Sequence, residues 1–333
     1  MLFQIITLTI TFITLNFLIF YKLERISHFV NIFDKPDNKL KKHKLKTPLL
    51  GGIILILNIL FFIFIYFFLI NDFFQKNIPI RNLISIFLFT TSFFLIGLID
   101  DKYNSKPENK FFTCIFFSLL CLLLNQNFLI SDLRFSFYNN SIFLENFSYF
   151  FTIFCIVILV NALNFYDGIN GQSIIYFIFI FCYLSFTSHF YLFYFFIILT
   201  LIFVLILNLS NKLFMGDNGI YFLGSIIILA LIYEYKVFKS IEFADEIFLL
   251  LILPGYDLLR LTIIRLFNGK NPFYGDRNHI HHLLIKKFSI FKTNIILFLL
   301  SIAPILMFNF SNLNFFIIIL LYTSIYIFII YKL

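Results

Sequence analysis

Long apolar runs, each broken by a short polar stretch after about twenty residues, set the rhythm of this chain. A helix that crosses the hydrocarbon core of a bilayer needs roughly 20 such residues. The runs predict eleven spanning helices, over 2–21, 49–70, 82–99, 111–130, 148–164, 172–187, 190–208, 219–234, 245–266, 293–309 and 313–331. The number falls to ten if the break "SFTSHFY" (Ser185 to Tyr191) does not divide two spans. Backbone groups in lipid must be satisfied within their own segment, so the expected fold class is all-α, a polytopic membrane helical bundle. The first run lacks a basic leader and a small-residue cleavage site, and reads as a spanning helix rather than a cleaved signal. Pro254 and Gly255 in "LILPGYDLLR" are expected to break the ninth span and to open a lateral groove.

Composition agrees. Of the 333 residues 61% are hydrophobic and only 13% charged, with a mean hydropathy of +0.96, whereas a soluble domain carries about a quarter charged residues. The net charge of +8 would suggest nucleic acid in a soluble protein. Here the basic residues are expected to fix topology and to meet anionic headgroups, and nucleic acid is not expected. With the N-terminus outside, twenty of the 25 Lys and Arg fall on the inner connections and five on the outer ones, which sets that orientation by the positive-inside rule. Cys114, Cys121, Cys155 and Cys182 lie in apolar runs without C-x-x-C spacing and read as small hydrophobes.

The consequence is that nearly all unusual polar chemistry falls on the inner, cytoplasmic face of a single membrane domain. It lies in or beside the connections 22–48, 100–110, 162–173, 209–218 and 267–292. A transporter should instead mark a path through the midplane with ionisable residues such as Asp257, and should show internal repeats, which are not seen. Asp100 and Asp101 are adjacent carboxylates at the end of a span. A solvated helix end would explain them, but acids there oppose the helix dipole and repel each other, and a bound cation relieves both. Mg²⁺ suits one or two carboxylates plus substrate phosphates, and Lys102, Lys106 and Lys110 follow closely. Asp167 lies in the glycine-bracketed turn "NFYDGING", with Asn161 and Asn164 one helical turn apart on the span before it. Asp217 lies in "MGDNG" ahead of the eighth span, either as a simple turn cap or beside a helix N-terminus open to phosphate.

The stretch "GDRNHIHHLL" gathers Asp276, Arg277, His279, His281 and His282, a set that an apolar interior would not accept unpaired. Zinc is conceivable, but H-E-x-x-H is absent. Guanidinium and imidazole together suit a pyrophosphate better. The basic loop "FDKPDNKLKKHKLKTPLLGG" (Phe33 to Gly52) would serve as a lipid-facing loop, yet His43, Pro48, Gly51 and Gly52 are not explained by that alone.

In order, these five segments resemble the polyprenyl-phosphate N-acetylhexosamine-1-phosphate transferases, a family that includes the phospho-MurNAc-pentapeptide translocase. The resemblance runs through Asp34–Pro36–Lys41–His43–Pro48–Gly51–Gly52, "GLIDD" at 97–101 with Pro107 and Lys110, "NALNFYDGING" at 161–171, "MGD" at 215–217 and "PFYGDRNHIHH" at 272–282. The HIHH form looks like the branch that transfers N-acetylglucosamine 1-phosphate. The resemblance implies a UDP-N-acetylhexosamine donor, a polyprenyl phosphate acceptor, Mg²⁺ (or Mn²⁺) and a bacterial inner-membrane site, with homodimerisation left open. It implies catalytic roles for Asp100, Asp101 and Asp167 and metal binding by Asp217, Asp100 and Asp167. Substrate binding is expected of His43, Lys46, Lys110, Asn161, Asn164, Asn170, Asp276, Arg277, His279, His281 and His282. Two departures stand out: Asn170 replaces a second acid in the D-G-x-D-G turn, and Ile220 replaces a common Ser. They leave another UDP-sugar open as the donor.

Overall fold

The computed structural model describes residues 2–34, 46–69, 80–188, 190–271, 277–311 and 313–333. The apolar runs fold as helices: α1 (Leu2–Tyr21), α2 (Leu23–Val30), α3 (Gly51–Leu69), α4 (Ile80–Tyr103), α5 (Pro107–Leu124), α6 (Ser148–Tyr166), α7 (Gln172–Thr187), α8 (Tyr191–Leu209), α9 (Gly216–Tyr233), α10 (Ala244–Leu250), α11 (Ile252–Phe267), α12 (Ile280–Lys287), α13 (Ile290–Phe310) and α14 (Phe315–Lys332). The chain is thus a multi-pass helical membrane protein. Among the described residues, seven helices are long and apolar enough to cross a bilayer, or up to nine if each of two bent pairs is one span, and 51–65 and 172–187 are shorter apolar helices. The break at Ser185–Tyr191 does divide two helices, α7 ending at Thr187 and α8 beginning at Tyr191.

Three details differ from expectation. Two small antiparallel hairpins join the helices, β1 (Phe33–Asp34) with β2 (Thr47–Pro48) and β3 (Asp132–Phe135) with β4 (Tyr138–Phe143). The fourth span stops at Leu124 rather than 130, because Arg81 donates twice to the Leu124 carbonyl and closes the helix end. The ninth span does break, as expected, but at Leu251, three residues before Pro254, with α10 and α11 bent by 73°. Pro254 therefore sits in the first turn of α11, where its missing N–H leaves no helical bond unmade. An apolar crevice of about 600 Å³ lies between α3, α4, α8 and α9, lined by Ile59, Ile63, Thr90, Phe193 and Ile226 and by no residue of α10 or α11.

α9 is the axis of the bundle. It is buried over 83% of its apolar window, against 44% or less for the other six spans, so it can be hydrophobic all round. It packs on α4, α6 and α3. A Cβ on Gly97 of α4 would lie 2.3 Å from the Asp217 carbonyl oxygen, so only glycine lets these two helices meet. The reciprocal amide pair Asn16–Asn58 (2.9 and 3.2 Å) ties α1 to α3 inside the apolar layer.

Candidate active site

Helices α4, α5 and α9 converge at one end of the bundle on a small group of charges. Asp100, in the last turn of α4, accepts from Ser105 N at 2.8 Å and from Lys110 Nζ at 2.7 Å. Lys110, in the first turn of α5, also reaches Asp217 Oδ2 at 3.4 Å. Asn164 of α6 approaches the same oxygen at 3.5 Å. Asp101 points elsewhere. Its two oxygens accept from the Asp217 and Asn218 backbone N–H groups, both at 2.9 Å, and from Asn218 Nδ2 at 2.5 Å. A carboxylate on the free N–H groups of a helix start complements its dipole. The structure therefore places Asp101 as the cap that positions the Asp217 turn, not as a group facing substrate as the sequence reading had it.

Two carboxylates here, Asp100 and Asp217, share one ammonium, and a third, Asp101, lies beside them on the Asp217 turn. That surplus of negative charge, in a partly buried site, suits a divalent cation. No group of three His, Cys, Asp or Glu among the described residues is disposed to hold a metal ion by itself. The expected trio of Asp100, Asp167 and Asp217 is therefore not assembled: Lys110 stands between Asp100 and Asp217, and Asp167 is tied to Ser173 Oγ at 2.5 Å. Two carboxylates fit Mg²⁺ as phosphate-sharing ligands, the form in which that ion is usually held.

Asp167 follows α6 directly, and burial pushes its carboxyl up to about 6 although the Ser173 hydroxyl favours the anion. Gly168 lies against the histidine segment: a Cβ there would be 1.8 Å from His281 Nε2. Gln172 Nε2 donates to His281 Nδ1 at 3.2 Å, which puts the ring proton on Nε2. Burial drives His281 well below the usual imidazole range, so it is neutral. The rings form a column. Phe165 stacks on His279 (5.6 Å, 20°), His279 on His281 (5.4 Å, 9°), and His282 meets His281 edge-on at 4.2 Å. The Arg265 guanidinium lies 5.6 Å from the Phe165 ring centre.

The remaining expected site residues divide. Asn161 donates to Val157 O of its own helix. Asn170 donates to Asn208 O and Asn211 Oδ1, and its carbonyl accepts from Asn294. It therefore ties the turn before α7 to the end of α8 and to α13. Ile220 is fully buried in α9, so neither departure from the family pattern lies in the charged cluster. Lys46 is exposed with Nζ 4.0 Å over the Phe33 ring. Arg277 is half-buried, while His43 and Asp276 lie outside the described residues. Sequence reasoning missed Asp257, which it weighed only as a transporter's acid, together with Arg260, Tyr326, Ser173 and Gln172. The one signal available was the i,i+3 pair Asp257–Arg260 in an apolar helix.

With this geometry in place, the comparisons with known proteins are informative. The model of "Glycosyl transferase family 4" matches residues 83–234, which include both acids of α4, Lys110, Asp167 and Asp217. The chain is 29% identical over 292 residues (84% of this chain, 75% of the relative) to the undecaprenyl-phosphate alpha-N-acetylglucosaminyl 1-phosphate transferase of Escherichia coli strain K12. It is 27% identical over 286 residues (84% and 81%) to the protein of that name from Thermotoga maritima. A third, from Salmonella typhimurium, is 26% identical over 270 residues (77% and 70%).

Proposed function

We propose that this chain, whose residues 83–234 match the model of glycosyl transferase family 4, transfers N-acetylglucosamine 1-phosphate from its UDP derivative to a polyprenyl phosphate, releasing UMP. The observation that carries this reading is the meeting of Asp100, Lys110 and Asp217, from three different helices, at one charged point. The relatives that match across most of this chain bear the name of that reaction. The twenty inner basic residues support a cytoplasmic site with the N-terminus outside and eleven spans.

The difficulty of the reaction is to bring two anions together in line, and it asks the protein for positioning and charge neutralisation rather than covalent chemistry. Asp217 and Asp100 would hold Mg²⁺, which supplies charge neutralisation at the donor diphosphate and the departing UMP. Lys110 places a fixed positive charge between the two acids. Asp101 holds the Asp217 turn in place. Arg277 and the histidine column face the pyrophosphate, and the basic connection with Lys46 receives the lipid phosphate. The acceptor needs no dedicated base, since a phosphate monoester loses its second proton near pH ~6 and is largely dianionic at neutral pH. Direct attack follows, without a phospho-aspartyl enzyme; exchange of labelled UMP into UDP-sugar in the absence of lipid would contradict that.

The test is to incubate detergent-solubilised protein with polyprenyl phosphate, Mg²⁺ and a panel of UDP-sugars while following UMP. Release with UDP-N-acetylglucosamine above all others is expected. No release with any donor would refute the reaction, and preference for another UDP-hexosamine would refute the sugar.

A further inference from the structure

A second polar junction is built on a carboxylate that the reaction above does not use. Asp257 is 2% exposed in α11, six residues after the break at Leu251. Its oxygens are divided between two tasks. Oδ1 accepts from the Ile280 backbone N–H at 3.1 Å, from Arg260 Nη2 at 2.8 Å and from the Tyr326 hydroxyl at 3.0 Å. Arg260 also donates to Tyr326 Oη at 3.0 Å and to the Asn278 carbonyl at 2.6 Å. That half of the junction fastens α11, α12 and α14 together. Oδ2 is bonded to His279 Nδ1 at 2.7 Å. A carboxylate can only accept from that nitrogen, so Nδ1 carries a proton and Nε2 is the nitrogen left to meet a ligand.

We propose that Asp257 is a positioning residue for the transfer reaction: it fixes the ring orientation and protonated nitrogen of His279 and so sets the histidine column against the donor diphosphate. This rests on the proposed reaction. The bland alternative is a satisfied core histidine beside a structural ion pair. Against it, Arg260, Tyr326 and Ile280 N already hold the junction through Oδ1, while the second oxygen is given to the imidazole. The ring so held stacks nearly parallel on His281 (9°) and against Phe165, a geometry that a freely turning His279 would lose.

Two measurements test it. Asp257→Asn should lower kcat/KM for UMP release roughly 10- to 100-fold, the range seen when a carboxylate that orients a histidine is removed. In a His279→Ala background the same change should cost less than about 2-fold, since neighbours acting as one unit are not additive. Tyr326→Phe removes only an Oδ1 bond and should cost less than about 3-fold. Losses from Asp257→Asn and His279→Ala that multiply, or a Tyr326→Phe loss equal to that of Asp257→Asn, would make the junction purely structural and overturn the proposal. Independently of turnover and of how the variants fold, ¹⁵N-histidine NMR on the wild-type protein, with His279 assigned by its loss in His279→Ala, should show a protonated Nδ1. An unprotonated Nδ1 overturns the proposal. Wild-type protein that releases no UMP sinks the reaction instead and leaves that spectrum to be read.

Discussion

Asp217 and Asp257 are both carboxylates near the starts of apolar helices, yet their surroundings are opposite. Asp217 shares one ammonium, 3.4 Å away, with the neighbouring Asp100 carboxyl, and the Asn164 amide approaches it at 3.5 Å. Asp257 accepts from four donors within 3.1 Å, one of them cationic. The difference separates two uses of a buried charge. Where donors are too few and anions too many, the folded protein holds an electrostatic demand that a cation and its phosphates can meet. Where both oxygens are held by donors, the charge organises structure and is costly to disturb.

The comparison can be broken most directly by opposite substitutions. Asp217→Asn should lower UMP release by up to ~10³-fold, as loss of a charge-stabilising group does, while leaving the melting temperature unchanged or slightly raised by relieved repulsion. Asp257→Ala leaves half-buried Arg260 and buried His279 without their shared partner and should destabilise by about 3 kcal/mol, visible as a lower melting temperature in a thermal-shift assay. If Asp217→Asn melts lower than Asp257→Ala, the contrast fails. Gly97→Ala is expected to act next most strongly, because its methyl meets the Asp217 carbonyl. Activity should fall on the order of 10²-fold with the fold retained; near-normal turnover would show that the α4–α9 spacing is not critical.

A smaller effect is expected from pH. Burial raises the Asp167 carboxyl to about 6, so the folded protein favours its protonated form. The stability this contributes is complete below the ordinary carboxyl value of 3.8 and is lost as pH rises through about 6. Activity should move the other way, rising through the same range as the anion forms. Asp167→Asn should flatten that limb of the kcat/KM profile, and an unaltered limb would assign it to another group. The smallest change belongs to exposed Lys46: Lys46→Ala should raise the KM for the lipid phosphate less than about 5-fold, more at low salt, as expected for a screened surface charge. A loss of 100-fold would place Lys46 in the core of the site.

The sequence revealed what depends on local composition and failed where meaning depends on distant partners. Apolar runs of spanning length located the helices, and the order of five polar segments drew attention to Asp100, Lys110 and Asp217, which do meet. Adjacent Asp100 and Asp101 could not be told apart, because consecutive helical residues point about 100° apart and only the position of α9 decides which one caps it. Asn170 was read as a ligand by its place in a turn, but its partners lie 38 and 41 residues on. Asp257 was overlooked for the same reason: His279 and Tyr326 are 22 and 69 residues away.

The most direct measurement is equilibrium binding of UDP-N-acetylglucosamine to the detergent-purified chain, with and without Mg²⁺, in the wild type and in Asp217→Asn. A cluster whose excess negative charge recruits the cation and donor together predicts at least ~10-fold tighter binding when Mg²⁺ is added to the wild type, about 1.4 kcal/mol. It predicts no such gain in the variant. An equal Mg²⁺ gain in both proteins, or none in the wild type, would contradict it.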